Sequence, residues 1–179
     1  MVLTNDAQVA EKLRALRDLA HSPEKRFLHN EIGFNYRMTN VQAAIGLGQF
    51  ERIDELAEMR RTNALRYNSY LQGVKGITLP VEKNWAKNVY WMYSVMIEPE
   101  FGMDRDEFMR RLGEQGIQTR AFFIPMHLQP AFLNMGLFGG ERYPVSEEIS
   151  GKGLYLPSGS GLDEETIKYI CETIKSFNN

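Results

Sequence analysis

One cysteine, three histidines, no glycine-rich phosphate loop and no long apolar run: these shortages narrow what a chain of 179 residues can be. A lone Cys171 excludes an internal disulfide framework and fits a reducing compartment. His21, His29 and His127 form no metal-ligand spacing with it, so no structural metal is expected. No stretch approaches the roughly 18 apolar residues of a membrane helix. Twenty-one basic against 23 acidic residues lacks the basic surplus that marks a nucleic-acid binder. The opening "MVLTNDAQVAEKLRALRD" is an apolar tetrad followed by an amphipathic segment, not a basic-then-apolar leader. There is no GxGxxG, no Gly–Lys–Ser/Thr loop, no GxSxG elbow and no nucleophile paired with a base. The two glycines of "GLGQFE" fall inside an expected helix. What remains is a composition of 43% hydrophobic and 25% charged residues, that of a cytosolic globular protein. Its length suits one domain, or one domain plus part of another.

Along the chain, "MVLT" reads as the tail of a strand. Asn5 or Asp6 caps a helix whose Val9, Leu13, Leu16 and Leu19 are spaced for one buried face. The next eighteen or so residues, "HSPEKRFLHNEIGFNYRM", form an irregular connection, and loops that long are usually functional. Thr39 and Gln42 have the spacing of a capping box. The helix they open is expected to run to about Leu71, roughly 48 Å at 1.5 Å per residue, long enough to bridge two bodies. Its first half carries Ala43, Ala44, Gly46 and Gly48, which suits either a subunit contact or a tight crossing within the chain. Its second half, from Glu51 to Arg66, is charged and expected to be solvated. Beyond Gly73 the pattern alternates: a short strand at "GITLP", a strong strand over 88–98, a helix capped by Asp104, a strand at "IQTRAFFIP", a short helical piece after Pro130, a helix opened by Pro144, an extended "LYLPSG" and a last amphipathic helix. The reading is an α/β protein in three parts: 1–38 as the trailing edge of another body, 39–71 as the long bridging helix, and 72–179 as a small α/β domain.

Two places could carry chemistry. From Gly33 to Phe50 there is no acidic residue and only Arg37 is basic. Gly33 permits a close approach, Asn35 offers an amide, Arg37 a planar fork, and the following helix start adds exposed N–H groups. That combination suits an anion; a merely buried, capped helix start explains it equally well. In "TRAFFIPMHLQP", Arg120 and His127 bracket an apolar strand, and Pro125 and Pro130 fix the loop. A histidine bonded within its own loop is the simpler account there. Lys25 and Arg26 look, by themselves, like a solvated loop tip.

"GFNYRMTNVQAAIGLGQFERIDE" closely resembles a signature of the DegT/StrS-type sugar-nucleotide aminotransferases, fold-type I enzymes that use pyridoxal 5′-phosphate (PLP). "YWMYSVMIE", "TRAFFIPMHLQPAF" and "GLYLPSGSGLDEETIKYICETI" resemble the family's C-terminal part in the same order, and within the family the chain is most similar to the perosamine synthases. The resemblance implies the tail of a large PLP domain, a bridging helix and a small α/β domain. It implies a homodimer in the cytoplasm with sites shared between subunits, and transfer of an amino group from glutamate to a sugar nucleotide such as GDP-4-keto-6-deoxymannose for surface polysaccharide (O-antigen) synthesis. By position, Asn35 and Arg37 match cofactor-binding residues that reach the partner's PLP phosphate, while Arg26, His127 and Arg120 match substrate-binding positions. The cofactor lysine of the family would lie a few residues before Met1, and none of the eight lysines here stands in a matching context, so the isolated chain is expected to be inactive. The rival reading is a non-catalytic α/β module that dimerises or binds an anion.

Overall fold

The computed structural model describes residues 2–25 and 27–178, which divide into two compact units, Met1–Ile53 and Asp54–Asn179. In the first, helix α1 (Ala7–Arg17) starts at Asp6, whose Oδ1 accepts from the backbone N–H of Gln8 and Val9 at 2.8 and 3.1 Å. The expected buried stripe does not close: no residue of α1 is buried, and Val9 is 45% exposed. The connection after it folds back on the helix end. Phe34 N–H donates to Leu16 O at 2.6 Å, Leu19 N–H to Phe34 O at 3.0 Å and Tyr36 N–H to Arg17 O at 2.9 Å. Asp18 and Asn35 are antiparallel bridge partners, as are His21 and His29. Gly33 is required here, because a Cβ on it would stand 2.3 Å from the backbone nitrogen of Ala20.

Helix α2 (Asn40–Phe50) opens with the reciprocal capping box: Gln42 N–H donates to Thr39 Oγ1 at 3.2 Å, and Thr39 N–H to Gln42 Oε1 at 2.9 Å. It does not continue to Leu71. A turn at Glu51–Arg52 separates it from α3 (Ile53–Leu71), which corrects the expectation of one long helix. Arg52 N–H bonds Gln49 O, three residues back, instead of holding the four-residue ladder. Asp54 and Glu55 then sit in the first turn of α3, where the helix dipole favours acids. Upstream, two glycines weaken α2 by about 1 kcal/mol each relative to alanine. A Cβ on Gly46 or Gly48 would meet nothing within 4 Å, so no close crossing among the described residues explains them.

In the second unit the elements after α3 are β1 (Ile77–Thr78), β2 (Tyr93–Ile97), α4 (Arg105–Glu114), β3 (Arg120–Ala121), α5 (Pro130–Leu133), α6 (Pro144–Lys152), β4 (Gly153–Leu156) and α7 (Glu164–Ser176). The sheet order is β1-β2-β4-β3, antiparallel throughout, with Val95 opposite Leu154 and Arg120 opposite Tyr155. Tyr93, Val95 and Ile97 alternate into the core as the two-residue period of a strand requires. They meet Tyr67 and Leu71 of α3, Phe108 and Leu112 of α4, and Ile167, Ile170, Cys171 and Ile174 of α7. Tyr67 stacks on Tyr93 at 4.5 Å, and each hydroxyl has a partner: Pro157 O at 2.9 Å and Asn68 Oδ1 at 2.6 Å. That pairing removes the cost of burying two phenols. Asp104 and Asp163 cap α4 and α7 through the N–H groups of Glu107 and Thr166, both at 2.8 Å. The charged part of α3 is not wholly solvated. Arg61, whose side chain is 17% exposed, forks onto both Glu82 oxygens at 2.7 and 3.2 Å and fixes the loop after β1.

Candidate functional site

In the first unit, the fold-back onto α1 brings Asn35 and Arg37 beside Asp18. Asn35 Oδ1 accepts from the backbone N–H of Arg37 at 3.4 Å, which leaves its Nδ2 as the end without a partner among the described residues. Arg37 Nε lies 3.0 Å from Asp18 Oδ1, and the Arg37 side chain is 64% exposed. That Asp18 oxygen is occluded and has no aligned hydrogen bond, so the pair is held by charge and proximity. The hollow beside them, about 610 Å³, is lined by Arg14, Arg17, Asp18, Tyr36, Arg37 and Met38. Three arginines and one carboxylate thus line it, and no acid follows in α2. An amide N–H and an accessible arginine fork are donors only, and a phosphate accepts only, so this donor set fits a PLP phosphate. Arg14 and Arg17 were not singled out in the sequence. Their one-turn spacing was legible, but it also suits the negative end of α1.

The second unit holds the other candidates. His127 lies in a short turn after Pro125 and is only 6% exposed. Its Nε2 stands 3.1 Å from Glu147 Oε1. Glu147, near the start of α6, also accepts from Tyr143 N–H at 2.9 Å and from Arg142 Nε at 3.1 Å on both oxygens. These donors, Arg142 foremost, then Tyr143, then His127, pull the Glu147 carboxyl down to about 2. The Tyr143 ring meets the imidazole edge-on at 4.8 Å. An open groove of about 630 Å³ runs past His127, walled by Phe122, Phe123, Met126, Ile149 and Tyr155. Arg120 sits on the edge strand β3, exposed, and its side chain has no partner among the described residues. It makes no hydrogen bond to His127. Arg26 lies outside the described residues; Lys25 is in an exposed bend.

Among the described residues no His, Cys, Asp and Glu cluster could hold a metal. Lys152 does not offer an imine-forming amine either. Lys152 is bound by Glu148 at 2.6 Å and Glu98 at 2.9 Å, which raise its pKa and keep it protonated. Capture of an aldehyde needs the neutral amine.

Comparison with known proteins places the chain in a family. The DegT/DnrJ/EryC1/StrS aminotransferase family model matches residues 1–175, and the chain belongs to that family. Members of the family depend on PLP. The chain is 34% identical over 179 residues to GDP-perosamine synthase of Vibrio cholerae, covering 100% of this chain and 48% of that protein. It is 36% identical over 175 residues to GDP-perosamine synthase of Caulobacter vibrioides, covering 97% and 46%. Among solved structures, DesV of S. venezuelae superposes with a TM-score of 0.81 at 28% identity, over 99% of this chain and 46% of DesV. The chain thus spans about half the length of the curated relatives it matches. Its fold is the C-terminal part of a PLP-dependent sugar aminotransferase, mixed α/β in character.

Proposed function

We propose that this chain supplies the C-terminal part of a PLP-dependent aminotransferase that moves an amino group from glutamate to a 4-keto-6-deoxy sugar nucleotide. GDP-4-keto-6-deoxymannose is the candidate acceptor, and surface polysaccharide such as O-antigen the destination. The observation that carries the reading is the match over nearly the whole chain, at 34% and 36% identity, to two GDP-perosamine synthases. The Asn35–Arg37 pair supports it, since a donor-only set beside an acid-free helix start suits a phosphate.

PLP, when bound, supplies the electron sink and amine carrier of transamination. The work of this chain is to hold and orient. Asn35 Nδ2 and the Arg37 fork would hold the phosphate, with Asp18 restraining the fork and Arg14 and Arg17 adding positive field. His127 and Arg120 belong to the sugar-nucleotide side, and Arg26 to its phosphates. Segments 1–38 and 72–179 are the large-domain tail and the small domain.

The protein acts as a cytoplasmic homodimer with shared sites. Helix α2 supports this: it has no charged residue and no buried one, and it leaves Val41, Ile45, Leu47 and Phe50 exposed, apolar surface that is ordinarily covered. Among the described residues no helix is long and apolar enough to cross a membrane.

The test is an assay of the protein carrying this chain with PLP, glutamate and GDP-4-keto-6-deoxymannose, following conversion of the ketone to a primary amine by mass spectrometry. Amination of that sugar supports the reading. PLP binding without amination of any 4-keto sugar nucleotide refutes the substrate assignment.

A further inference from the structure

Glu147 is a residue for which the proposed chemistry has no use, yet it gathers more donors than any other carboxylate around the groove. Its Oε1 accepts from Tyr143 N–H at 2.9 Å and from Arg142 Nε at 3.1 Å, and faces His127 Nε2 at 3.1 Å. An ionised carboxylate only accepts, so the imidazole nitrogen facing it must carry a proton. In a neutral ring the other nitrogen then holds the lone pair. His127 Nδ1 has no hydrogen bond among the described residues, and His127 lines the open groove beside Phe123 and Met126. Ring rotation is opposed on one side by the Tyr143 edge at 4.8 Å and by burial of all but 6% of the residue.

We propose that Glu147 is the positioning residue of His127: it holds the proton on Nε2 and so presents Nδ1 to the groove as a hydrogen-bond acceptor for a sugar hydroxyl. The inference rests on the sugar-nucleotide reading above only for the identity of the hydroxyl; the tautomer follows from the local geometry. A groove walled by aromatic and aliphatic side chains suits the apolar face of a 6-deoxy sugar, and a single buried acceptor selects one hydroxyl on it. Arg142 is the outer member of the arrangement. It clamps Glu147 through both oxygens and is itself 74% exposed.

The experiment is a long-range ¹H–¹⁵N correlation spectrum of the histidine rings at alkaline pH, with His127→Gln to assign the signal. The expected result is one tautomer, protonated at Nε2. In Glu147→Gln, whose amide can either donate or accept, the ring is expected to sample both tautomers while the backbone amide spectrum of the second unit is retained. Arg142→Gln leaves the carboxylate in place and should keep the single tautomer, which a merely structural role for Glu147 would not distinguish. A proton on Nδ1 in the unaltered protein, or an unchanged tautomer in Glu147→Gln, overturns the proposal. Adding GDP-fucose, a commercial GDP-linked 6-deoxyhexose, should then shift Nδ1. A single Nε2 tautomer with no shift on titration supports Glu147 as the positioning residue and overturns instead the placement of the sugar at His127.

Discussion

Asp18 acts on both members of the candidate phosphate site: its backbone is the bridge partner of Asn35, and its Oδ1 stands 3.0 Å from Arg37 Nε. One residue at the end of α1 thus fixes where the amide and the guanidinium stand. A hydrogen bond to a charged group contributes about 1.5–3 kcal/mol and a neutral one about 1 kcal/mol. Both would donate to a charged phosphate, so Arg37→Ala and Asn35→Ala are each expected to weaken PLP binding by roughly tenfold or more, by that scale. Fluorescence titration of PLP into the protein carrying this chain checks this. Unchanged affinity in Arg37→Ala removes Arg37 from the cofactor site.

Gly33→Ala should loosen the first unit. The added methyl meets Ala20 N and Leu19 C at 2.3 Å, and both are backbone atoms that cannot swing aside. Overpacking of this kind costs about 1–3 kcal/mol. Amide exchange of residues 16–36 should quicken while α7 keeps its protection. Equal exchange in both proteins would contradict the close approach.

Thr39→Ala removes one half of the reciprocal cap on α2 and should lower its local stability by about 1 kcal/mol. Thr39→Ser restores the oxygen and should recover most of the loss. Exchange rates at Val41–Ala43 read the effect directly.

Cys171 should be inert in the folded chain. It is buried among the core residues of α7, and burial pushes its thiol up to about 12, so almost no thiolate exists at neutral pH. Iodoacetamide should label it only after denaturation. Rapid labelling of native protein would show that α7 leaves the core readily.

Acid should erode stability in a definite window. Glu107 is pulled to about 2 by hydrogen bonds from Arg110 and then Arg111, and Glu147 to about 2 chiefly by Arg142. Their unfolded values are about 4.3. With the folded pKa below the unfolded one, the contribution is complete above about pH 4.3 and falls away as pH drops toward 2. Both side chains are partly exposed, so salt screening tempers the effect. Urea midpoints measured between pH 6 and 2 should fall in that range, and less steeply in Glu107→Gln.

Several elements were legible because local chemistry decides them. Asp6, Thr39 with Gln42, and Asp104 all cap helices, since a side-chain oxygen beside unpaired N–H groups acts within one turn. The strand core at Tyr93–Ile97 followed from its β-branched and aromatic content. The break at Glu51–Arg52 was not legible: helical periodicity continues across it, and only a three-residue hydrogen bond marks the interruption. The strand expected over "IQTRAFFIP" shrank to Arg120–Ala121, with one further bond from Phe122 N–H to Gly153 O at 3.1 Å. Pairing length depends on a distant partner strand, which propensity does not report. For the site, Asn35 and Arg37 stood out by the lack of acids around them. In the first unit Arg14, Arg17 and Asp18 joined them only through the fold-back; in the second, Glu147 joined His127 only through the start of α6, twenty residues further on.

The sheet's order has a consequence for how this chain can stick to copies of itself. Its outer members, β1 and β3, are each two residues long, so few ladder positions lie open on either margin. Short margins give another chain little backbone to zip onto, which guards against amyloid-like stacking. Self-association in the second unit by strand addition is thereby discouraged. What invites company is instead the uncharged side-chain surface of α2, so clumping of this chain should be relieved by mild detergent and should lack the fibre signature of stacked strands.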